Sequence, residues 1–348
     1  MLDTCHRMIR RGEPHLLSIV IPLYNEQEML PSLRSELEAF LCRLGLPAEI
    51  VIVNDGSVDR SLELLLEWAD ADPRVHVLNL ARNFGHQAAA TAGLDHAAGD
   101  AVVLMDADLQ DPLEVIPEMI ARYADGYDVV MGRRLRREGE SWFKRFSAWL
   151  FYRLMKLLVY RDLKADVGDF RLISRACLNA LSSMRETHRF LRGMCSWVGF
   201  PQTCVDYVRR PRRSGVTKYP LRRMLLFAWT AAVSFSPTPL RLSFGLGVLV
   251  AAAGIADGVY AVVRAALGLY NVPGWTSLMV LVCLIGGAIL ASIGVLGEYI
   301  GRIFEEVKGR PLYVVASSVN ATLATEPIAT RATRGHEHSI EREQVVWH

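Results

Sequence analysis

The stretch Ala101-Val102-Val103-Leu104-Met105-Asp106-Ala107-Asp108-Leu109-Gln110-Asp111-Pro112 reads as a buried strand running into an acidic turn. The apolar run before Asp106 has strand length and is too short for a helix. Asp106 and Asp108, at i and i+2 on the turn, can converge on one hard cation. Mg²⁺ takes oxygen ligands and commonly sits between carboxylates and substrate phosphates, where a cation stabilises developing negative charge. A D-x-D pair alone is a common feature of acidic turns. Its place directly after an apolar strand, with Gln110 and Pro112 following, gives it meaning here.

The same pattern repeats on both sides. Leu17–Pro22, Glu49–Val53, Val75–Leu80 and Asp128–Met131 are short, β-branched apolar runs, each ending in a polar loop and alternating with helical stretches. Such alternation predicts an α/β domain with a largely parallel sheet. Ligands of these sheets sit at the carboxyl ends of the strands, where Tyr24–Glu26, Asn54–Ser57 and Asp106–Gln110 fall. In Val53-Asn54-Asp55-Gly56-Ser57-Val58-Asp59, Gly56 permits a tight turn. Asp55 can either accept hydrogen bonds from a base or ribose or, with Ser57, cap the following helix. In Pro22-Leu23-Tyr24-Asn25-Glu26, Tyr24 or Pro22 can flank a flat base that Glu26 hydrogen-bonds. His86, His96 and His188 have no metal-ligand spacing and read as structural.

The remainder of the chain has a different character. Of its 348 residues, 51% are hydrophobic, high for a soluble enzyme, while 39 Lys+Arg against 37 Asp+Glu leave a net charge too small to point to any partner. No nucleic-acid partner is expected. Segments 242–264 and 275–297 are each long and apolar enough to span a bilayer. They predict a transmembrane hairpin within 242–304, with Asp257 unusual inside the first span. Arg222, Arg223 and Arg241 precede it, Arg302, Lys308 and Arg310 follow it, and the connection holds Arg264. This bias predicts both ends, and so the soluble α/β domain, on the cytoplasmic side. Segments 142–160 and 216–241 read as basic amphipathic helices at the bilayer surface. Residues 1–14 are expected to be an N-terminal extension, with no signal peptide visible, 305–316 a cytoplasmic segment, and 317–348 a disordered tail. The six cysteines lack C-x-x-C spacing and are expected to be free thiols.

Taken together, the Pro22–Glu26, Asn54–Asp59 and Asp106–Pro112 motifs resemble the nucleotide-sugar domain of inverting GT-A glycosyltransferases. The resemblance extends to Arg82-Asn83-Phe84-Gly85-His86-Gln87, Met131-Gly132-Arg133-Arg134, Gly168-Asp169-Phe170-Arg171 and Arg213-Ser214-Gly215-Val216-Thr217-Lys218-Tyr219. With Gly297-Glu298-Tyr299-Ile300-Gly301-Arg302 closing the second span, it is similar to the polyprenyl-phosphate subgroup, which includes bactoprenol glucosyltransferases and dolichol-phosphate mannose synthases. The likeness covers residues 15–315, with the GT-A catalytic domain at 15–215.

The resemblance implies a metal-dependent hexosyltransferase that moves a sugar, UDP-glucose being the first donor expected, to undecaprenyl or another polyprenyl phosphate with inversion. The implied setting is a multi-pass protein of the bacterial cytoplasmic membrane serving the cell envelope, with the bilayer itself a partner. It implies Mg²⁺ or Mn²⁺ on Asp106, Asp108 and Gln110, and the nucleotide sugar on Pro22, Tyr24, Glu26, Asp55 and Asp106. It also implies acceptor phosphate on Arg133, Arg171, Arg213 and Lys218, with Asp169, Asp108 and Arg133 the catalytic set. Gly245, Gly247, Gly286 and Gly287 allow close helix packing, so a homo-oligomer is among the expectations. Two rivals are a processive polysaccharide synthase, against which the missing Q-x-x-R-W string argues, and a nonenzymatic nucleotide-sensing scaffold or flippase, which Asp257 would suit.

Overall fold

A computed structural model of the chain describes residues 10–135, 167–209, 238–267 and 275–321. These fall into two compact units, the first built from 10–135, 167–209 and 311–321 and the second from the two long helices.

In the first unit, β1 (Leu17–Leu23), β2 (Ala48–Asn54), β3 (Val75–Leu80) and β4 (Ala101–Leu104) form a parallel core. The full sheet has eight strands in the order β7-β5-β6-β4-β1-β2-β3-β8. It adds β5 (Val129–Arg134), β6 (Val167–Ser174), β7 (Gln202–Tyr207) and β8 (Val315–Val319). Successive side chains on a strand face opposite ways, so each strand feeds two cores. Leu17, Ile19 and Ile21 pack under α1 (Leu30–Leu44), α2 (Ser61–Ala71) and α4 (Ile116–Ala124). Val20, Val51 and Val53 pack under α3 (His86–His96), α5 (Arg175–Ser183) and α6 (Leu191–Trp197). The product is a three-layer α/β sandwich, as the alternating pattern predicts.

Two features of this fold position the site. Helix α3 lies very close to the sheet, because its inner face is Ala89, Ala90, Ala92 and Gly93, and a Cβ on Gly93 would come 2.3 Å from Val20 Cγ1. Strand β6 runs antiparallel to β4, with Leu104 opposite Arg171. The start of β6 therefore lies beside the end of β4, and Gly168–Asp169 meets the acidic turn. Strands β5 and β7 also end on this edge, with Arg133 opposite Val167 and Arg134 opposite Tyr207.

Within this unit the expected boundaries move in two places. Arg133 and Arg134 belong to β5 itself rather than to a loop after it. Ser317 does not begin a disordered tail: Val315–Val319 pairs antiparallel with β3. This short Ser/Ala/Val segment has little strand signal of its own, and the open edge of β3 supplies its hydrogen bonds. Asn320 donates its side-chain amide to the carbonyls of Ala69 and Val75. Cys42, Cys177, Cys195 and Cys204 are free thiols.

The second unit contains α7 (Thr238–Ala266) and α8 (Trp275–Val307), which contact one another. At 1.5 Å per residue they are about 43 and 50 Å long, more than the roughly 30 Å of a bilayer core. The stretches Leu242–Tyr260 and Leu284–Val307 are apolar enough to cross a membrane, and neither is buried within the protein. A soluble core helix would be buried. Helix α8 continues past the expected end of the span at 297, and Arg302 pairs with Glu298 one turn earlier at 3.1 Å. The expected interfacial helices, at 142–160 and within 216–241, lie outside the described residues.

Candidate active site

The acidic turn carries a dense group of charges. Asp106 is partly exposed, Asp108 less so, and Asp111 is fully buried. Burial pushes the Asp106 carboxyl above the usual range; Asp111, Asp169 and Asp108 push it the same way while His86 opposes them. Leu109 adopts a left-handed backbone (φ 52°) and the Gln110 amide donates to Asp108 Oδ1 at 3.1 Å, which closes the turn. The Tyr207 hydroxyl donates to Asp111 Oδ1, while the other oxygen, Oδ2, is buried without a hydrogen-bond partner among the described residues. Burial first, helped by Asp111, raises the Tyr207 phenol far above its ordinary range.

Asp169 faces Asp106 from the start of β6. Arg192, on α6, donates through Nε to Oδ1 at 2.9 Å and through Nη2 to Oδ2 at 3.3 Å. His86, at the start of α3, places Nε2 3.5 Å from Asp169 Oδ2 and 3.7 Å from Asp106 Oδ1. Burial works against the Asp169 charge, but the hydrogen bond from His86 and the charge and hydrogen bond of Arg192 outweigh it. The carboxyl is held well below the usual range. The same contact with Asp169 raises His86 above the ordinary imidazole value, against desolvation.

The nucleotide-side motifs are braced against one another. Asn25, itself left-handed at φ 54°, accepts from the Val58 amide and donates its own amide to Ser57 Oγ, both at 2.9 Å. The Glu26 amide donates to Ser61 Oγ at 3.0 Å. Pro22 is buried in β1, and Tyr24 is 45% exposed at the rim. Asp55 is buried and accepts from the Phe84 and Gly85 amides at 2.7 and 3.0 Å. Its two oxygens thus cap the turn entering α3, a role neither sequence alternative named. Gly56 must be glycine: its φ is +66°, and a Cβ would come 2.5 Å from the Arg82 carbonyl carbon.

The arginines sort differently from expectation. Arg133 forms an exposed two-pronged pair with Asp206, Nε to Oδ1 at 2.5 Å and Nη2 to Oδ2 at 2.7 Å. The adjacent Arg134 turns to the acidic turn. It donates to the Tyr207 hydroxyl at 3.1 Å and lies 3.7 Å from Asp111 Oδ1. Gly168 leaves it room, since a Cβ there would meet Arg134 Nη2 at 2.6 Å. Arg209 approaches the same turn, 3.7 Å from Asp108 Oδ2. Arg171 is fully buried, donating to the carbonyls of Asp169 and Gly168; it stiffens the strand rather than facing open surface. Arg213 and Lys218 lie outside the described residues.

Arg192 and Arg209 are therefore residues the sequence reading passed over, while His86 was read there as structural and Arg134 was quoted without a site role. Alternation within β5 could have flagged Arg134, because neighbours on a strand face opposite ways. Nothing local marks His86 or Arg192; α3 and α6 bring them in from distant parts of the chain.

No group of three or more His, Cys, Asp or Glu side chains forms a ready-made metal cage among the described residues. The oxygen donors of Asp106, Asp108 and Gln110 nevertheless fit a hard divalent cation, which commonly takes one or two carboxylates and completes its shell with substrate phosphates. Burial first, and the neighbouring carboxylates after it, push Asp106 up, and a bound cation would offset both.

This fold and edge-of-sheet site define the class, and comparison with known proteins agrees. The family model for glycosyl transferase family 2 matches residues 18–181, and that for the GtrB C-terminal hairpin matches residues 238–303. The chain is 44% identical over 304 residues to the uncharacterized glycosyltransferase YkcC of Bacillus subtilis, covering 86% of this chain and 93% of that protein. It is 39% identical over 302 residues to the bactoprenol glucosyl transferase of Shigella phage SfII, covering 87% and 98%. A solved mannosyltransferase from Pyrobaculum calidifontis, in complex with GDP-Man and Mn²⁺, matches 81% of this chain and 88% of its own, at 18% identity and a TM-score of 0.41. A likeness that distant carries no weight for the chemistry. This chain belongs to glycosyltransferase family 2, in the form that carries a GtrB-type C-terminal hairpin.

Proposed function

We propose that this protein transfers a hexose, glucose from UDP-glucose in the first instance, onto undecaprenyl or a related polyprenyl phosphate, with inversion. The observation that carries the reading is the meeting of Asp106 and Asp108 with an arginine-held Asp169 on one sheet edge, in a chain with a GtrB-type hairpin. Relatives at similar identity bear the name bactoprenol glucosyl transferase. The lipid phosphate oxygen attacks the anomeric carbon, and the nucleoside diphosphate leaves from the opposite face.

A divalent cation on Asp106, Asp108 and Gln110 would neutralise charge on the departing diphosphate. Pro22, Tyr24, Glu26 and Asp55 frame the nucleotide end, Asp55 by fixing the loop at Phe84–Gly85. Arg134 and Arg209, with Arg213 and Lys218, are the acceptor-side cations; guanidinium grips phosphate through paired hydrogen bonds. A phosphate acceptor needs no general base, since its second pKa is about 6. Asp169, held ionised by Arg192 and His86, is a weak proton acceptor and serves to position the sugar. The helices α7 and α8 anchor the chain in the bacterial cytoplasmic membrane, with the catalytic domain on the cytoplasmic side by the charge bias of the hairpin. Anchoring confines the enzyme to the surface that holds its acceptor.

The test is transfer by the purified full-length protein in lipid nanodiscs, supplied with undecaprenyl phosphate and a panel of radiolabelled nucleotide sugars. UDP-glucose should label the lipid fraction most strongly. Labelling by another nucleotide sugar alone would reassign the donor, and no labelling by any would remove the reading.

A further inference from the structure

Asp169 is gripped from two sides by groups that do different things. Arg192 holds both of its oxygens in a fork from α6, and is itself tied to the Val167 carbonyl at 3.2 Å. His86 approaches from α3 with one ring nitrogen shared between Asp169 and Asp106. Both partners are carboxylates that accept, so Nε2 carries the hydrogen, and one N–H donates fully to one of them at a time. The close seat of α3 on the sheet fixes the height of the imidazole, because Gly93 leaves α3 no slack against Val20.

Among the described residues the imidazole does not cap α3. The N-cap of α3 is Gly85, without a side-chain cap, and the first turn is closed by backbone bonds from Ala88 and Ala89 to the Gly85 carbonyl. The His86 side chain is 43% exposed, so it fills no core.

We propose that His86 is a positioning residue for the transfer step, which orients the Asp169 carboxylate toward the sugar and ties that orientation to occupancy of the Asp106 side. This rests on the glycosyl-transfer reading above. When the nucleotide sugar engages Asp106, the Nε2–H is left with Asp169 as its partner and draws Oδ2 toward α3, against the pull of Arg192 toward α6. The carboxylate is thereby set for the sugar when the donor is in place. With an empty donor side, the N–H is divided and the fork of Arg192 dominates.

The test compares His86→Leu, which fills the volume and removes the donor, with His86→Gln, whose terminal amide restores an N–H at similar reach. Both are made in the full-length protein in nanodiscs. Misplacement of a reacting group by about 1 Å can cost 10²-fold in rate, so kcat of His86→Leu should fall by about that factor. KM for the nucleotide sugar, UDP affinity and thermal unfolding should stay near those of the unaltered protein, and His86→Gln should recover most of the loss in kcat. An unimpaired kcat in His86→Leu, a loss confined to KM, or a His86→Gln as impaired as His86→Leu would each overturn the role. Absence of transfer by the unaltered protein would instead overturn the glycosyl-transfer reading and this role with it, so the two failures are distinct.

Discussion

The two halves of the catalytic edge are held together by different forces. On the side of β1, β2 and β3, the loops are joined by side-chain to backbone hydrogen bonds, many between neutral groups: Asn25 with Val58, Ser57 with Asn25, Ser61 with Glu26. Asp55 is charged, but it spends both oxygens on backbone amides. On the side of β4, β5, β6 and β7, the contacts are mainly between ions: Asp169 with Arg192 and His86, Asp111 with Arg134, Asp108 with Arg209. Here too lie buried polar atoms without hydrogen-bond partners among the described residues, namely Asp111 Oδ2, Arg171 Nη1 and Arg209 Nε. Orphaned buried groups are costly, on the order of 1–3 kcal/mol each, and persist where a ligand, ion or water completes them. The contrast teaches that the loops after β1, β2 and β3 largely satisfy one another, while the edge formed by β4 to β7 keeps charge and buried polar atoms without partners among the described residues.

The comparison is broken most directly at the acidic turn. Asp108→Asn should lower transfer by about 10²–10³-fold, the loss typical of removing one group that stabilises developing charge, and chelation should abolish transfer by the unaltered protein. Turnover that persists in excess EDTA would show that the charge crowding at Asp106 answers to something other than a cation.

Next in size is Asp169→Asn. The carboxyl of Asp169 sits well below its ordinary range, so it is ionised throughout the working pH range and its removal takes away the same interaction at every pH. The expected loss, about 10²-fold for a positioning group, should be nearly constant from about pH 6.5 to 9 once the acceptor's own titration near 6 is subtracted. A loss that shrinks steadily as pH rises would mean hydroxide is replacing a missing base, and Asp169 would then be a proton acceptor.

The smallest effect sharpens the comparison within one strand. Arg134→Ala should raise KM for the lipid phosphate, about tenfold for a lost charge-assisted contact, because Arg134 reaches the acidic turn. Arg133→Ala should leave both kinetic constants and thermal unfolding close to those of the unaltered protein, since its pair with Asp206 is solvent-exposed and such pairs contribute little. Reversed effects would return the acceptor role to Arg133.

Much of this was legible without coordinates. Short β-branched runs alternating with helical stretches imply a parallel sheet, and the acidic turn, the Asn54–Asp59 loop and Tyr24–Glu26 are gathered at its carboxyl edge because parallel strands all end on the same side. The apolar lengths of 242–264 and 275–297 likewise specify the hairpin, because the thickness of a bilayer sets the count of residues. These are local or periodic properties, written in consecutive residues.

What tertiary structure alone decided is which charged groups meet. The antiparallel register of β6 on β4 brings Asp169 to Asp106. The pairing of β5 with β6 and β7, with an irregularity between Met131 and Arg133, sends Arg134 rather than Arg133 to the acidic turn. Packing of α3 and α6 on the sheet delivers His86 and Arg192 to Asp169. Pairing to the open edge of β3 makes a strand of Val315–Val319, whose own residues say little. Each of these depends on contacts between residues far apart in the chain, and a local pattern cannot carry a partner's position. The sequence by itself therefore determined the layers of the fold, the sheet edge that gathers the motifs and the apolar hairpin; register and helix packing determined the charge network that occupies that edge.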